Sequence, residues 1–192
     1  MCSRTLAAVL VLTLAAAAPV AAGLPSVGVY FDPDCATCSA TAAVGIPIDL
    51  YVNAQLGGWL PDGTVGAEFR IDGIPTDWWI LSVTPNPAAN TVLGNPRTGC
   101  TIAFQDCQRP PGGCLNLYVL RILPVTVHNN IHLQVLYHYN PEPGFPCIWL
   151  IACDAPAYTR ICAGGGEAWI NGQSCTVGAS QTSWTGVKHL YN

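Results

Sequence analysis

Apolar and polar residues alternate with a period of two along much of the chain. Ile46, Ile48, Leu50, Val52 and Ala54 interleave with Pro47, Asp49, Tyr51, Asn53 and Gln55, and Val65, Ala67, Phe69 and Ile71 with Gly66, Glu68 and Arg70. Successive side chains of a strand point to opposite faces, so this period marks strands with one buried face. The pattern returns at Ile131, Leu133, Val135, Tyr137 and Tyr139, set against His132, Gln134, Leu136 and His138. Val27 to Phe31, Trp78 to Val83, Thr91 to Leu93, Thr101 to Phe104, Ile148 to Ala152 and Tyr158 to Cys162 read as further strands. Asn116 to Val127 is apolar nearly throughout, which predicts a strand covered on both faces and bent near Pro124. Ala168 to Ile170 and Ser174 to Val177 flank Asn171-Gly172, a pair suited to the positive φ angles of a type I′ turn, and so predict a hairpin.

Roughly eight to ten short strands separated by Gly and Pro signals predict an all-β antiparallel sandwich. The one helical candidate is the C-terminal tail, 183–192, where Ser183 can cap and Trp184, Val187, Leu190 and Tyr191 share a face. At the other end, Arg4, the apolar run from Leu6 to Ala18 and the small residues up to Ala22 form the three parts of a secretory signal, with cleavage expected between Ala22 and Gly23. The run is shorter than the about 18 to 20 apolar residues a membrane span needs. The organisation expected is therefore a signal peptide over 1–22, a sandwich over 23–182 and the tail, with no membrane span after cleavage.

Composition fits a folded exported domain. Charged residues make up 9% of the chain and hydrophobic ones 51%, the reverse of a disordered balance. The formal net charge is −4 and the few basic residues are scattered, which excludes a nucleic-acid partner. Of ten cysteines, all but Cys2 follow the cut, leaving an odd number. In an exported chain they predict a disulfide framework. Cys35, Cys38, Cys100, Cys107, Cys147, Cys153, Cys162 and Cys175 are the disulfide candidates. The shortest closures are Cys100 to Cys107, Cys147 to Cys153 and Cys162 to Cys175. Cys114, in a Pro-Pro-Gly-Gly turn, is the candidate for the free thiol. Cys35-Ala36-Thr37-Cys38 has the spacing of a redox motif, but Gly45-Ile46-Pro47 stops the long helix that such chemistry needs. One such pair is also too few for a structural zinc site.

The stretches Ile46-Pro47-Ile48-Asp49-Leu50-Tyr51-Val52, Gly66-Ala67-Glu68-Phe69-Arg70-Ile71 and Ser82-Val83-Thr84-Pro85-Asn86-Pro87 resemble part of a cohesin-like or immunoglobulin-like bacterial sandwich. Phe31-Asp32-Pro33, Cys153-Asp154-Ala155-Pro156 and the ending from Ser183 to Tyr191 resemble secreted proteins of environmental bacteria. The resemblance implies the fold and a binding or structural role. It carries no functional residues over.

Candidate chemistry is sparse. His128, His132, His138 and His189 match no metal-binding spacing, and His132 and His138 lie roughly 20 Å apart on one strand. No Ser has a nucleophile context, no cofactor motif appears, and Gly164-Gly165-Gly166 lacks the Lys of a phosphate loop. Asp32 and Asp34 offer oxygens for calcium or simply form a solvated turn. Trp59, in a Gly-Gly-Trp loop, and the adjacent Trp78 and Trp79 are the candidate ligand-binding residues, since one of two neighbours on a strand faces outward. The leading expectation is a non-enzymatic binding or structural module, secreted or periplasmic, with a protein or polysaccharide ligand. A carbohydrate-binding module using the tryptophans is the alternative, and a secreted hydrolase or thiol oxidoreductase the third reading.

Overall fold

The computed structural model describes residues 23–140 and 146–175. The expected signal peptide, the tail helix and part of the expected last hairpin lie outside these residues. The strands are β1 (Ser26–Tyr30), β2 (Ser39–Ala40), β3 (Ile48–Gln55), β4 (Thr64–Asp72), β5 (Trp79–Pro85), β6 (Ala89–Asn95), β7 (Gly99–Gln108), β8 (Cys114–Leu123), β9 (Ile131–Leu136), β10 (Ile148–Ala152), β11 (Arg160–Gly165) and β12 (Glu167–Ile170). Among the described residues the only helical piece is a 3-10 turn at Pro111–Gly113.

One layer runs β5-β8-β3-β1, antiparallel throughout. The other is built around β4, which pairs with β7 and β10 along most of its length and with β9 through its last residues. Beyond these lie β6 on β7, β11 on β10, and β12 on β9. A parallel pairing of β11 with β1 closes the layers along one side. The inward phase of each strand meets in the middle: Leu50, Val52, Leu120 and Ile122 from one layer, Ala67, Phe69, Ile102, Leu133 and Leu150 from the other, all buried. Phe69 and Tyr118 meet edge to face across the layers at 6.0 Å.

The long apolar run at β8 is not covered on both faces. Its residues alternate between buried and partly exposed except at Leu117-Tyr118, where both are buried. The register against β3 slips there, and a bulge turns two consecutive side chains inward. Asn53, fully buried, stands beside the slip. It accepts a hydrogen bond from Asn116 Nδ2 at 2.8 Å and donates to the carbonyls of Asp32 and Pro33.

The Asn171-Gly172 hairpin is also corrected. Asn171 has the positive φ expected of it, at 53°. Both edges of β12 are already taken, however, by β9 on one side and by β2, in parallel, on the other. Asn171 instead ties loops together, accepting from Ala42 N–H at 2.8 Å and donating to the carbonyls of Ala42 and His128.

Among the described residues four disulfides form: Cys35–Cys114, Cys38–Cys175, Cys107–Cys153 and Cys147–Cys162. None of the expected short closures forms, and Cys114 is bonded. Among the described residues the free thiol is Cys100, which was expected to pair. Register explains the exchange. Thr64 lies opposite Gln108 of β7 and opposite Ala152 of β10, which brings Cys107 and Cys153 together over the start of β4. Trp149 lies opposite Cys162, which puts Cys147 diagonal to that cysteine. Cys114 is opposite Gln55 at the end of β3, close to the Asp32–Pro33 loop that Asn53 holds. Cys100 falls on the inward phase of β7, fully buried, where burial pushes its thiol up to about 12. Cys35 and Cys38 each bond elsewhere, so the redox motif is not assembled.

Asp32 caps its own turn, with Oδ1 accepting from the N–H groups of Asp34 (2.8 Å) and Ala36 (3.0 Å). Burial works against its charged form, but hydrogen bonds from the Thr37 hydroxyl and from nearby amides outweigh it and hold the carboxyl below the usual range. The turn occupies Oδ1, while Oδ2 is buried with no hydrogen-bond partner among the described residues. Among the described residues no group of three or more His, Cys, Asp or Glu is placed to hold a metal.

Two outcomes follow. Replacing Cys35 and Cys114 by Ala together should lower stability by about 4 kcal/mol, from the chain closed between them, measured by urea denaturation. Because the folded pKa of Asp32 lies below its unfolded value of about 3.9, its contribution to stability is present above that pH and lost as pH falls through the folded value. Asp32→Asn should therefore flatten the acid limb of the stability curve, read by thermal melts between about pH 2 and 5.

Candidate functional site

The start of β4 sets the shape of the outer surface. Thr64 is fully buried, and its hydroxyl donates to the Ile151 carbonyl (2.7 Å), with the Gly66 carbonyl at 2.8 Å, and accepts from Gly66 N–H at 3.3 Å. This closes a bulge between Thr64 and Gly66, at which the register against β7 shifts. A Cβ on Gly66 would stand 2.9 Å from the Ile102 carbonyl, so glycine keeps this point of the sheet low.

Register then arranges the outward side chains in rows. Leu93, Thr101, Glu68, Trp149 and Cys162 follow one another across β6, β7, β4, β10 and β11. Thr91, Ala103, Gly66, Ile151 and Arg160 form the next row. Gly66 and Ala103 are the smallest of these and make the floor of a shallow depression of about 370 Å³. Trp149, Ile151, Tyr158 and Arg160 rise along one side of it, and Glu68 supplies a carboxylate. An apolar floor with an aromatic wall and a few charged groups can hold a protruding side chain. Nothing in it supplies a nucleophile with a base.

The expected ligand tryptophans are not brought together. Trp78 is 3% exposed and turns inward, with Nε1 donating to the Thr126 carbonyl at 3.1 Å. Its ring meets His128 edge to face at 6.0 Å. It is therefore a packing residue, corrected from the expectation of a ligand contact, because the inward phase of the β5 approach falls on it. Trp79 is the outward neighbour, at 62% exposure, and Trp59 is exposed in the loop after β3. Trp79 pairs with Leu123, at one end of β8, and Trp59 follows Gln55, which pairs with Cys114 at the other end. About 30 Å of strand separates them at about 3.3 Å per residue, too far for one platform.

Two of the histidines, His128 and His132, each face a carboxylate, and His189 lies outside the described residues. His132 stacks on Trp169 at 4.2 Å and lies 3.1 Å from Glu167 Oε2. His128 Nε2 lies 3.0 Å from both Asp77 oxygens, and hydrogen bonds from Thr126 and His128 hold the Asp77 carboxyl below the ordinary range. The residues that sequence reasoning missed are Trp149, Ala103 and Gly66. The signal was present in the phase of β10: Ile148 and Leu150 are inward, so Trp149 between them is an aromatic residue on the outward phase.

The architecture has known counterparts. A cohesin module from a family 33 glycoside hydrolase of Clostridium perfringens superposes with a TM-score of 0.52 at 12% identity, over 79% of this chain and 99% of that one. The fold is cohesin-like. A non-cellulosomal cohesin of Archaeoglobus fulgidus gives 0.49 at 14% identity, over 86% and 99% of the two chains. A cohesin solved in a type I cohesin–dockerin complex of Clostridium thermocellum gives 0.48 at 9% identity, over 77% and 99%. No protein-family model matches the sequence, and no curated protein matches it. Beneath the outward rows of this cohesin-like sandwich, the Thr64 bulge is a structural knot. Thr64→Val should cost about 1 to 3 kcal/mol by leaving the Ile151 carbonyl and the Gly66 amide unpartnered, as measured by denaturant unfolding.

Proposed function

We propose that the chain is an exported, non-catalytic protein-binding module whose β6-β7-β4-β10-β11 face docks a partner protein. The observation that carries the reading is the depression floored by Gly66 and Ala103 and walled by Trp149 and Ile151. Buried aromatic anchors in such recesses dominate protein interfaces. The cohesin-like fold supports the same reading at the level of architecture. The disulfides suit an oxidising compartment, and the signal-like segment at 1–22 supplies a route to it. The partner to test first is a dockerin, the module held by the Clostridium thermocellum cohesin.

The domain from Gly23 onward, titrated calorimetrically against a panel of dockerins, is expected to bind at least one. Trp149→Ala and Ala103→Arg should each weaken that binding about 30-fold or more, the size of an interface hot spot, without changing the thermal melt. Binding unaltered by Ala103→Arg would remove this face from the interface. A panel without a single binder would remove the dockerin-type partner.

A further inference from the structure

The outward phase of β4 continues past the depression to Arg70, two residues beyond Glu68. Its Nε donates to the Tyr137 carbonyl at 3.0 Å. Its guanidinium carbon lies 6.0 Å from the centre of the Tyr137 ring and 5.5 Å from that of Tyr139. Tyr139 is 78% exposed. The segment that carries both tyrosines is itself anchored. The His138 ring lies over Gly99, where a Cβ would stand 2.5 Å from its Cδ2, and Asn140 N–H donates to His138 Nδ1 at 3.1 Å.

The guanidinium is thus held by one nitrogen and two rings, and its terminal N–H groups take part in no ion pair among the described residues. The ion pairs among the described residues are Arg109–Asp62, Arg121–Asp49, His128–Asp77 and His132–Glu167, and none includes Arg70. Asp72, the next outward residue on the strand, turns its Oδ1 to the N–H of Gly73. In a chain of net charge −4, a braced arginine without a carboxylate partner among the described residues is a fork able to receive one.

We propose that Arg70, braced by Tyr137 and Tyr139, receives a carboxylate from the docked partner: an Asp or Glu side chain of an acidic protein segment. This rests on the docking reading above and specifies its partner. Gly66 and Arg70 are four residues apart on one strand, so the partner's acidic group sits about 13 Å from the side chain that fills the depression. A protein fits better than an acidic polysaccharide. The arginine lies over one face of each tyrosine and takes that face from a sugar ring, while its fork matches the two oxygens of a carboxylate.

The test follows the Arg70 Nε–Hε signal and the Tyr137 and Tyr139 ring signals by NMR in the chain from Gly23 onward. The probes are an acetylated, amidated Glu-Gly-Glu-Gly-Glu peptide, its Gln counterpart and trigalacturonate. The Glu peptide is expected to shift these signals saturably and to bind at least tenfold more tightly than the Gln peptide. Arg70→Gln, with its remaining amide spectrum unchanged, should abolish the shift. No saturable shift, or equal binding of the Gln peptide, would overturn the proposal. Trigalacturonate binding tenfold more tightly than the Glu peptide would overturn it in favour of a polysaccharide. The two readings separate by readout: failure of the depression as an interface appears in the dockerin titration of Trp149→Ala, and failure of the Arg70 fork in the peptide titration of Arg70→Gln.

Discussion

The molecule depends on the pairing of one strand with three others. β4 joins β7, β10 and β9 within nine residues, and every outer element of its layer hangs from one of these three. Its inward residues, Ala67, Phe69 and Ile71, are core, while its outward residues, Gly66, Glu68 and Arg70, form the spine of the candidate docking face. Beyond the bulge at Thr64, the two-residue period of the strand puts these two jobs on opposite faces. Thr64 anchors the arrangement where the pairings converge. There its hydroxyl replaces ladder bonds lost to the bulge and satisfies groups that burial would otherwise leave costly.

Most of the strands were legible in the sequence because alternation survives wherever one face is buried. β3, β4 and β9 carry the clearest pattern, and each forms within a few residues of its expected span. Legibility failed where a second physical rule intervened. At β8, Leu117 and Tyr118 break the alternation because of a bulge, and a bulge looks like continuous hydrophobicity in sequence. At Asn171 the local turn preference was real, but the available edges of β12 were already occupied. Local propensity decides a residue's backbone angle; only tertiary pairing decides which strand lies beside it.

The candidate site was less legible than the fold for a related reason. Trp59, Trp78 and Trp79 are conspicuous by residue type, whereas the face that forms is defined by small residues. Gly66 and Ala103 matter through what they lack, and they become neighbours only through the register of β4 and β7. Disulfide pairing failed similarly. Cysteines close in sequence lie on different phases or different edges, and bridges join those that register brings together, such as Cys107 and Cys153 across the start of β4.

The inward position of Cys100 reaches beyond the core it helps to fill. The ninth cysteine of the chain from Gly23 onward is an internal nucleophile, able to attack any disulfide that forms while the layers are apart. Mispaired bridges are then open to exchange within the chain itself. Once β7 closes against β8, burial suppresses the thiolate and removes the attacking group. The packing of this one side chain therefore withdraws the chain's own thiol from exchange with the four bridges.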